Sequence, residues 1–118
     1  MPKIRHLAIR TEDTGKLATF YMDVFEMQIL HKDKNEGGAI YLTDGYINLA
    51  IIQKRPHYKV GLYHFGIEID DVEVLKPLCK ELGATSEIQK RPPNREAEYR
   101  VADPDGNLID LSQHGWPT

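Results

Sequence analysis

Apolar positions along the chain fall into two periods, separated by polar breaks. Ile4-Arg5-His6-Leu7-Ala8-Ile9-Arg10 places Ile4, His6, Ala8 and Arg10 on one face of a strand and Arg5, Leu7 and Ile9 on the other. Apolar residues on both faces predict a strand covered on both sides. Thr11-Glu12-Asp13-Thr14 offers helix N-caps, and Leu17, Phe20, Tyr21, Val24 and Phe25 follow at helical spacing. A strand is predicted over 27–31, a polar turn over 33–38 and a strand over 39–43. Asp44-Gly45 is a hairpin turn signal, and 46–53 is the strand that returns from it. This half reads β-α-β-β-β.

Residues 54–60, with Pro56, form a short linker, and the order then repeats. Leu62 to Ile69 alternates as a strand, and Asp70-Asp71 can cap a helix whose apolar residues are Val74, Leu75, Leu78, Cys79 and Leu82. Gly83 is its expected C-terminal stop. Pro77, inside that helix, is expected to kink it or delay its start. Strands are predicted over 84–89, 96–102 and 108–113, with a basic, Pro-rich loop at 90–95. His6-Leu7-Ala8-Ile9-Arg10 matches His64-Phe65-Gly66-Ile67-Glu68, and Asp44-Gly45-Tyr46-Ile47-Asn48-Leu49 matches Asp105 to Leu111 with one extra residue before the polar position, which makes Asn48 and Asp110 equivalent. Neither half can bury both faces of its sheet alone. The expectation is one α+β domain over 1–118, built of two βαβββ modules (1–53 and 61–118) that form a pseudo-symmetric cup-shaped sheet.

Asp103-Pro104-Asp105-Gly106-Asn107 concentrates turn chemistry, and Leu108, Ile109 and Leu111 follow as a strand. Asp110 lies inside that apolar run. A carboxylate there needs a partner, either a cation or a metal.

Composition narrows the function classes. The 118 residues carry a net charge of −3, with 41% hydrophobic and 28% charged residues, as in ordinary soluble domains. Nothing in this balance points to nucleic acid or to an anionic membrane. No apolar run nears the roughly 20 residues of a membrane span. The first residues hold no signal-peptide core, and Cys79, the single cysteine, permits no internal disulfide, so a cytoplasmic location is expected. Cys79 reads as a packing residue of the second helix.

With those residues in view, the chain resembles the vicinal oxygen chelate superfamily, the glyoxalase, bleomycin-resistance and extradiol-dioxygenase fold. Three features carry the resemblance: a histidine in the first strand of each half, the helix segment Leu17-Ala18-Thr19-Phe20-Tyr21, and the Asp-Pro-Asp-Gly run ending in Leu108-Ile109-Asp110-Leu111. The resemblance implies a divalent metal held by His6, His64 and Asp110. Asn48 stands where relatives often carry Glu, Gln or His, and is a weak fourth ligand or a hydrogen-bond donor to metal-bound water or substrate. Two imidazoles and a carboxylate leave coordination positions open and suit Fe(II), with Mn, Ni, Co or Zn as alternatives.

Strand parity adds pocket walls. Tyr41 and Arg100 are expected to face the cup as equivalents, beside Asn48 as catalytic residues. Arg10, Tyr46, Glu68, Ser112 and His114 are expected to contact substrate. Arg100 is read either as an anion binder or as the salt-bridge partner of Glu68 or Glu98. His31 and His57 read as rim residues, and Trp116 as a tail residue or a lid. The resemblance implies a small oxygen-rich substrate chelated to the metal, with ring-cleaving dioxygenation ahead because Asn48 removes one carboxylate. A glyoxalase-like lyase or isomerase and a non-catalytic drug-binding protein are the alternatives. The resemblance also implies a homodimer.

Overall fold

A computed structural model describes residues 1–34 and 37–118. Part of the polar turn expected at 33–38 therefore lies outside the described residues. The architecture is α+β. In chain order the elements are β1 (Lys3–Thr11), α1 (Thr14–Phe25), β2 (Gln28–Lys32), β3 (Ile40–Thr43), β4 (Asn48–Gln53), β5 (Gly61–Glu68), α2 (Val72–Glu81), β6 (Gln89–Lys90), β7 (Tyr99–Ala102) and β8 (Leu108–Ser112). The chain divides into two compact units. The first is His6–Tyr63 with Pro117–Thr118, and the second is Met1–Arg5 with His64–Trp116. No helix among the described residues is long and apolar enough to cross a membrane.

In the first unit β1 runs parallel to β4, with His6 opposite Asn48, Ala8 opposite Ala50 and Arg10 opposite Ile52. β4 runs antiparallel to β3, and β3 antiparallel to β2, with a register shift between Ile29 and His31. Directly opposed residues project to the same side of a sheet. One side therefore carries Leu7, Ile9, Leu42, Leu49 and Ile51, which pack with Ala18, Leu17 and Tyr21 of α1. The other side carries His6, Ala8, Tyr41, Asn48 and Ala50. Burying one side under a helix is what reserves the opposite side for polar chemistry.

α1 starts where the sequence places it, with the Asp13 carboxylate accepting from Lys16 N at 3.1 Å. Its buried line differs from the expected one. Ala18 lies at the contact, while Phe20, Val24 and Phe25 are exposed. At 3.6 residues per turn, Phe20 and Val24 sit about 160° and about 120° around from Ala18. The apolar set is wider than the strip the sheet can cover.

The second unit repeats the plan. β5 runs parallel to β8, with Gly66 opposite Asp110 and Glu68 opposite Ser112. β8 pairs antiparallel with β7, and β7 with β6, so Arg100 lies opposite Asp110. Ile67, Val101, Ile109 and Leu111 pack with Val72, Leu75 and Cys79 of α2, which confirms the packing role of Cys79. Val74, Leu78 and Leu82 are exposed instead of buried. α2 begins at Val72 and runs through Pro77, so the proline does not delay its start. Asp71 caps Glu73 N, and Gln113 Oε1 accepts from Val72 N at 2.9 Å.

β6 is only Gln89–Lys90, not the strand expected over 84–89. Ser86 Oγ accepts from Ala102 N at 2.9 Å, and Thr85 Oγ1 donates to Asp103 O at 2.8 Å. Side-chain bonds here take backbone partners that a ladder would use.

The two hairpin turns are each organised by one aspartate. Asp44 Oδ1 accepts from Tyr46 N and Ile47 N, with Gly45 at φ 98°. Asp103 Oδ1 accepts from Asp105 N and Asn107 N, with Gly106 at φ 85°. The left-handed glycines let the chain reverse in a backbone conformation that residues with side chains rarely adopt. The backbone amide of Ile47, then that of Tyr46, hold the Asp44 carboxyl below its ordinary range. The Asn107 side chain, then its backbone amide, do the same for Asp103.

Candidate functional site

The polar side of the first unit is built around His6 and Asn48. Level registration on neighbouring parallel strands brings His6 Nδ1 to 2.8 Å from Asn48 Oδ1. Asn48 Nδ2 donates in turn to the Pro117 carbonyl at 2.9 Å. Both side chains are buried. Tyr41 shares this side, and its ring lies 5.9 Å from that of His31. The Arg10 guanidinium lies over the rings of Tyr63 (3.8 Å) and Tyr58 (4.4 Å). Two aromatic faces thus hold a cation that the sequence suggested for substrate contact. Tyr46 is exposed at the start of the hairpin return.

The polar side of the second unit centres on Asp110. Arg100 Nε donates to Asp110 Oδ1 at 2.5 Å, and His64 Nε2 stands 3.3 Å from Asp110 Oδ2. His64 and Asp110 are buried, and the Arg100 side chain is 14% exposed. The cation required by a charge in this apolar run is therefore Arg100. Direct cross-strand pairing of Arg100 with Asp110 explains the choice. The sequence reading offered Glu68 or Glu98 as the acid for Arg100; the acid it meets across the hairpin is Asp110.

Those two acids have other partners. Glu68 pairs with Arg5 at 3.3 Å. Glu98 Oε1 accepts from Gln113 N at 2.8 Å, and Oε2 stands 3.2 Å from His114 Nε2. Burial pushes the Glu98 carboxyl up, but bonds from Ser112 and Gln113 and the nearby His114 outweigh it and leave the group below its ordinary range. Ser112 Oγ lies 3.4 Å from His114 Nδ1, which completes an outline of serine, histidine and acid. Ser112 is not an attacking group. It is fully buried and accepts from Gly115 N, and its single hydrogen is taken up by the Gly115 carbonyl or the Glu98 carboxylate. Its hydroxyl shapes the turn into the tail, where Trp116 is buried and not an open lid.

The registers correct one sequence equivalence. Two residues beyond His6, Ala8 faces Ala50; two residues beyond His64, Gly66 faces Asp110. Ala50, and not Asn48, is the counterpart of Asp110. The turn ending in Asn107 is one residue longer than the turn after Asp44, and matching by the glycines conceals the shift. Tyr41 and Arg100 are equivalents as expected, since they face Ala50 and Asp110.

A divalent metal, implied by the resemblance, calls for a carboxylate with an oxygen to give. Both Asp110 oxygens are engaged, one by a guanidinium that already balances the charge. Among the described residues no group of three or more His, Cys, Asp or Glu is arranged to hold a metal ion. As placed here, Asp110 is engaged by Arg100 and His64, and one of these contacts would have to give way for Asp110 to hold a metal. The signal that sequence reasoning missed was Arg100 opposite Asp110, legible only once the hairpin register is known.

The sequence model of the Glyoxalase/Bleomycin resistance protein/Dioxygenase superfamily matches residues 3–111. No curated protein matches the chain by sequence. Among solved structures, a hypothetical protein from Bacillus halodurans C-125 is similar at 16% identity and a TM-score of 0.71, covering 93% of this chain and 92% of that one. A methylmalonyl-CoA epimerase in complex with methylmalonyl-CoA and NH4+ is similar at 19% identity and a TM-score of 0.67, covering 99% of each chain. The methylmalonyl-CoA epimerase of Mycobacterium tuberculosis is similar at 17% identity and a TM-score of 0.63, covering 92% of this chain and 85% of that one. At these identities the likeness concerns the fold.

Proposed function

Because the chain belongs to the Glyoxalase/Bleomycin resistance protein/Dioxygenase superfamily, we propose that it is an enzyme that moves a proton on a small molecule bearing a carbonyl or carboxylate, of the isomerase or lyase type. The observation that carries this reading is the buried array Arg100, Asp110 and His64. A carboxylate beside an imidazole orients the ring and fixes which nitrogen faces it. Arg100 balances Asp110, so the carboxylate can remain charged in an apolar strand. Asp110 Oδ2 stands 3.3 Å from Nε2 and so orients the His64 ring for the proton exchange proposed.

Ring-cleaving dioxygenation, favoured by the sequence reading, gains no particular support from the family match or from the solved relatives. Metal dependence, which the resemblance implies, requires Asp110 to leave Arg100 or His64. On the resemblance alone, the enzyme is a homodimer.

Proton exchange can be read directly. The full chain, prepared without chelator, is incubated in D2O with methylmalonyl-CoA, as named in the solved relatives, and with a panel of α-hydroxy and α-keto acids. Deuterium entering at the carbon next to the carbonyl is followed by NMR. His64→Gln is expected to slow exchange about 100-fold or more, the usual contribution of a positioned acid or base. Exchange that survives His64→Gln, or its absence across the panel, defeats the reading. Binding without exchange favours the drug-binding alternative. Activity lost to chelator and restored by one divalent ion favours a metal enzyme.

A further inference from the structure

We infer that the main chain at Pro117, acting through Asn48, fixes the proton of His6 on Nδ1 and makes Nε2 the electron-pair donor of that ring. Asn48 and Pro117 are then positioning groups for His6. The argument counts donors and acceptors. A peptide carbonyl only accepts. The Asn48 atom 2.9 Å from Pro117 O must therefore be Nδ2. The opposite amide orientation would press two acceptor oxygens together. Oδ1 then faces His6 Nδ1 at 2.8 Å, and it has no hydrogen to give. The hydrogen between them belongs to Nδ1. In the neutral ring, Nε2 holds the lone pair.

Burial makes this assignment firm. His6 is 4% exposed and Asn48 is 1% exposed, so water is a poor substitute for either partner. The strands add rigidity, because His6 and Asn48 are register partners on β1 and β4. The carbonyl comes from the tail. A main-chain group far along the sequence thus decides which nitrogen of His6 presents its lone pair to a bound molecule. That last step deepens the functional reading above and rests on it. The proton position itself rests on geometry alone.

The test uses the full chain labelled with 15N-histidine and long-range 1H–15N correlation at about pH 8, where an ordinary imidazole is neutral. The expected wild-type result is a protonated Nδ1 and an unprotonated Nε2 for His6. Asn48→Leu removes both bonds and is expected to raise the Nε2–H population of His6 several-fold. Asn48→Asp keeps an acceptor toward His6 but offers no donor to Pro117. It is expected to retain Nδ1–H and, in a uniformly 15N-labelled chain, to shift the amide signals of Trp116 and Thr118; it also serves if Asn48→Leu fails to fold. A wild-type His6 protonated on Nε2, or an unchanged tautomer in Asn48→Leu, overturns the inference. Unmoved tail signals in Asn48→Asp overturn the role of Pro117. None of these readouts depends on turnover, so a failure of the proton-transfer reading leaves them standing.

Discussion

Arg100 and Asp110 face each other across the β7–β8 hairpin, and the guanidinium Nε donates to the carboxylate at 2.5 Å. The pair is largely buried, with side chains 14% and 10% exposed. Removing the cation leaves Asp110 charged in an apolar strand. Arg100→Met is expected to destabilise the chain by about 3–5 kcal/mol, the usual cost of breaking a buried pair from one side. Arg100→Lys should fall between, since one ammonium cannot reproduce the planar donor. Urea unfolding of the three proteins checks the order. Equal midpoints for wild type and Arg100→Met would show that the pair is not formed in solution.

Three carboxyls held below their ordinary range predict how stability responds to acid. They are Asp44, Asp103 and Glu98. A group lowered by folding binds its proton more readily when unfolded. Its contribution is full above the unfolded pKa, near 4 for a carboxyl, and is lost as pH falls through the lower folded value. The wild-type melting temperature should therefore drop as pH falls below about 4. Asp44→Ala, Asp103→Ala and Glu98→Gln should each melt lower at neutral pH and show a shallower acid slope. Parallel slopes in variant and wild type would remove that carboxyl from the account.

Gly115 has φ 79°, and a Cβ built there would lie 2.1 Å from Glu68 Oε1. The Glu68 head would have to move, and its pairing with Arg5 would break. The left-handed backbone adds its own cost for any L side chain. Gly115→Ala is expected to cost about 1–3 kcal/mol. Adding Glu68→Ala should recover part of that loss but not the backbone share. A double-mutant cycle measured by thermal melting would show no coupling if the close approach is not real.

The burial pattern of the first core gives a contrast between two large apolar residues. Ile51 is fully buried beneath α1, whereas Phe20 on α1 is 51% exposed. Ile51→Ala should cost about 2–5 kcal/mol through lost contacts and the cavity left behind. Phe20→Ala should cost far less, since surface changes usually stay within about 0.5 kcal/mol. Chemical denaturation of both variants settles which face of α1 is packed. A larger loss for Phe20→Ala would restore the apolar face that helical spacing alone predicts.

Much of the fold is legible in the residues taken singly. Alternation along 4–10 and 62–69, aspartate caps before each helix and Asp-Gly turns specify the repeated β-α-β-β-β order. These are local signals, set by side-chain direction and by hydrogen bonds a few residues apart. The family resemblance rests on the same short stretches. His6, His64 and Asp110 are conspicuous for a related reason: each places a polar group where its strand is otherwise apolar.

What the sequence could not determine is which polar group meets which. That depends on strand register, and one extra residue in the second hairpin turn moves every pairing beyond it. Register makes Ala50 the counterpart of Asp110, seats Arg100 on Asp110, and sets Asn48 level with His6. Which part of an apolar helix face is covered is likewise a property of the sheet beneath it, as Phe20 and Val24 show. The charge at Asp110 demanded a partner from the sequence alone, because an unpaired carboxylate in an apolar strand is costly. Tertiary structure chose the partner, because only folding brings β7 alongside β8 and places a guanidinium within hydrogen-bond reach.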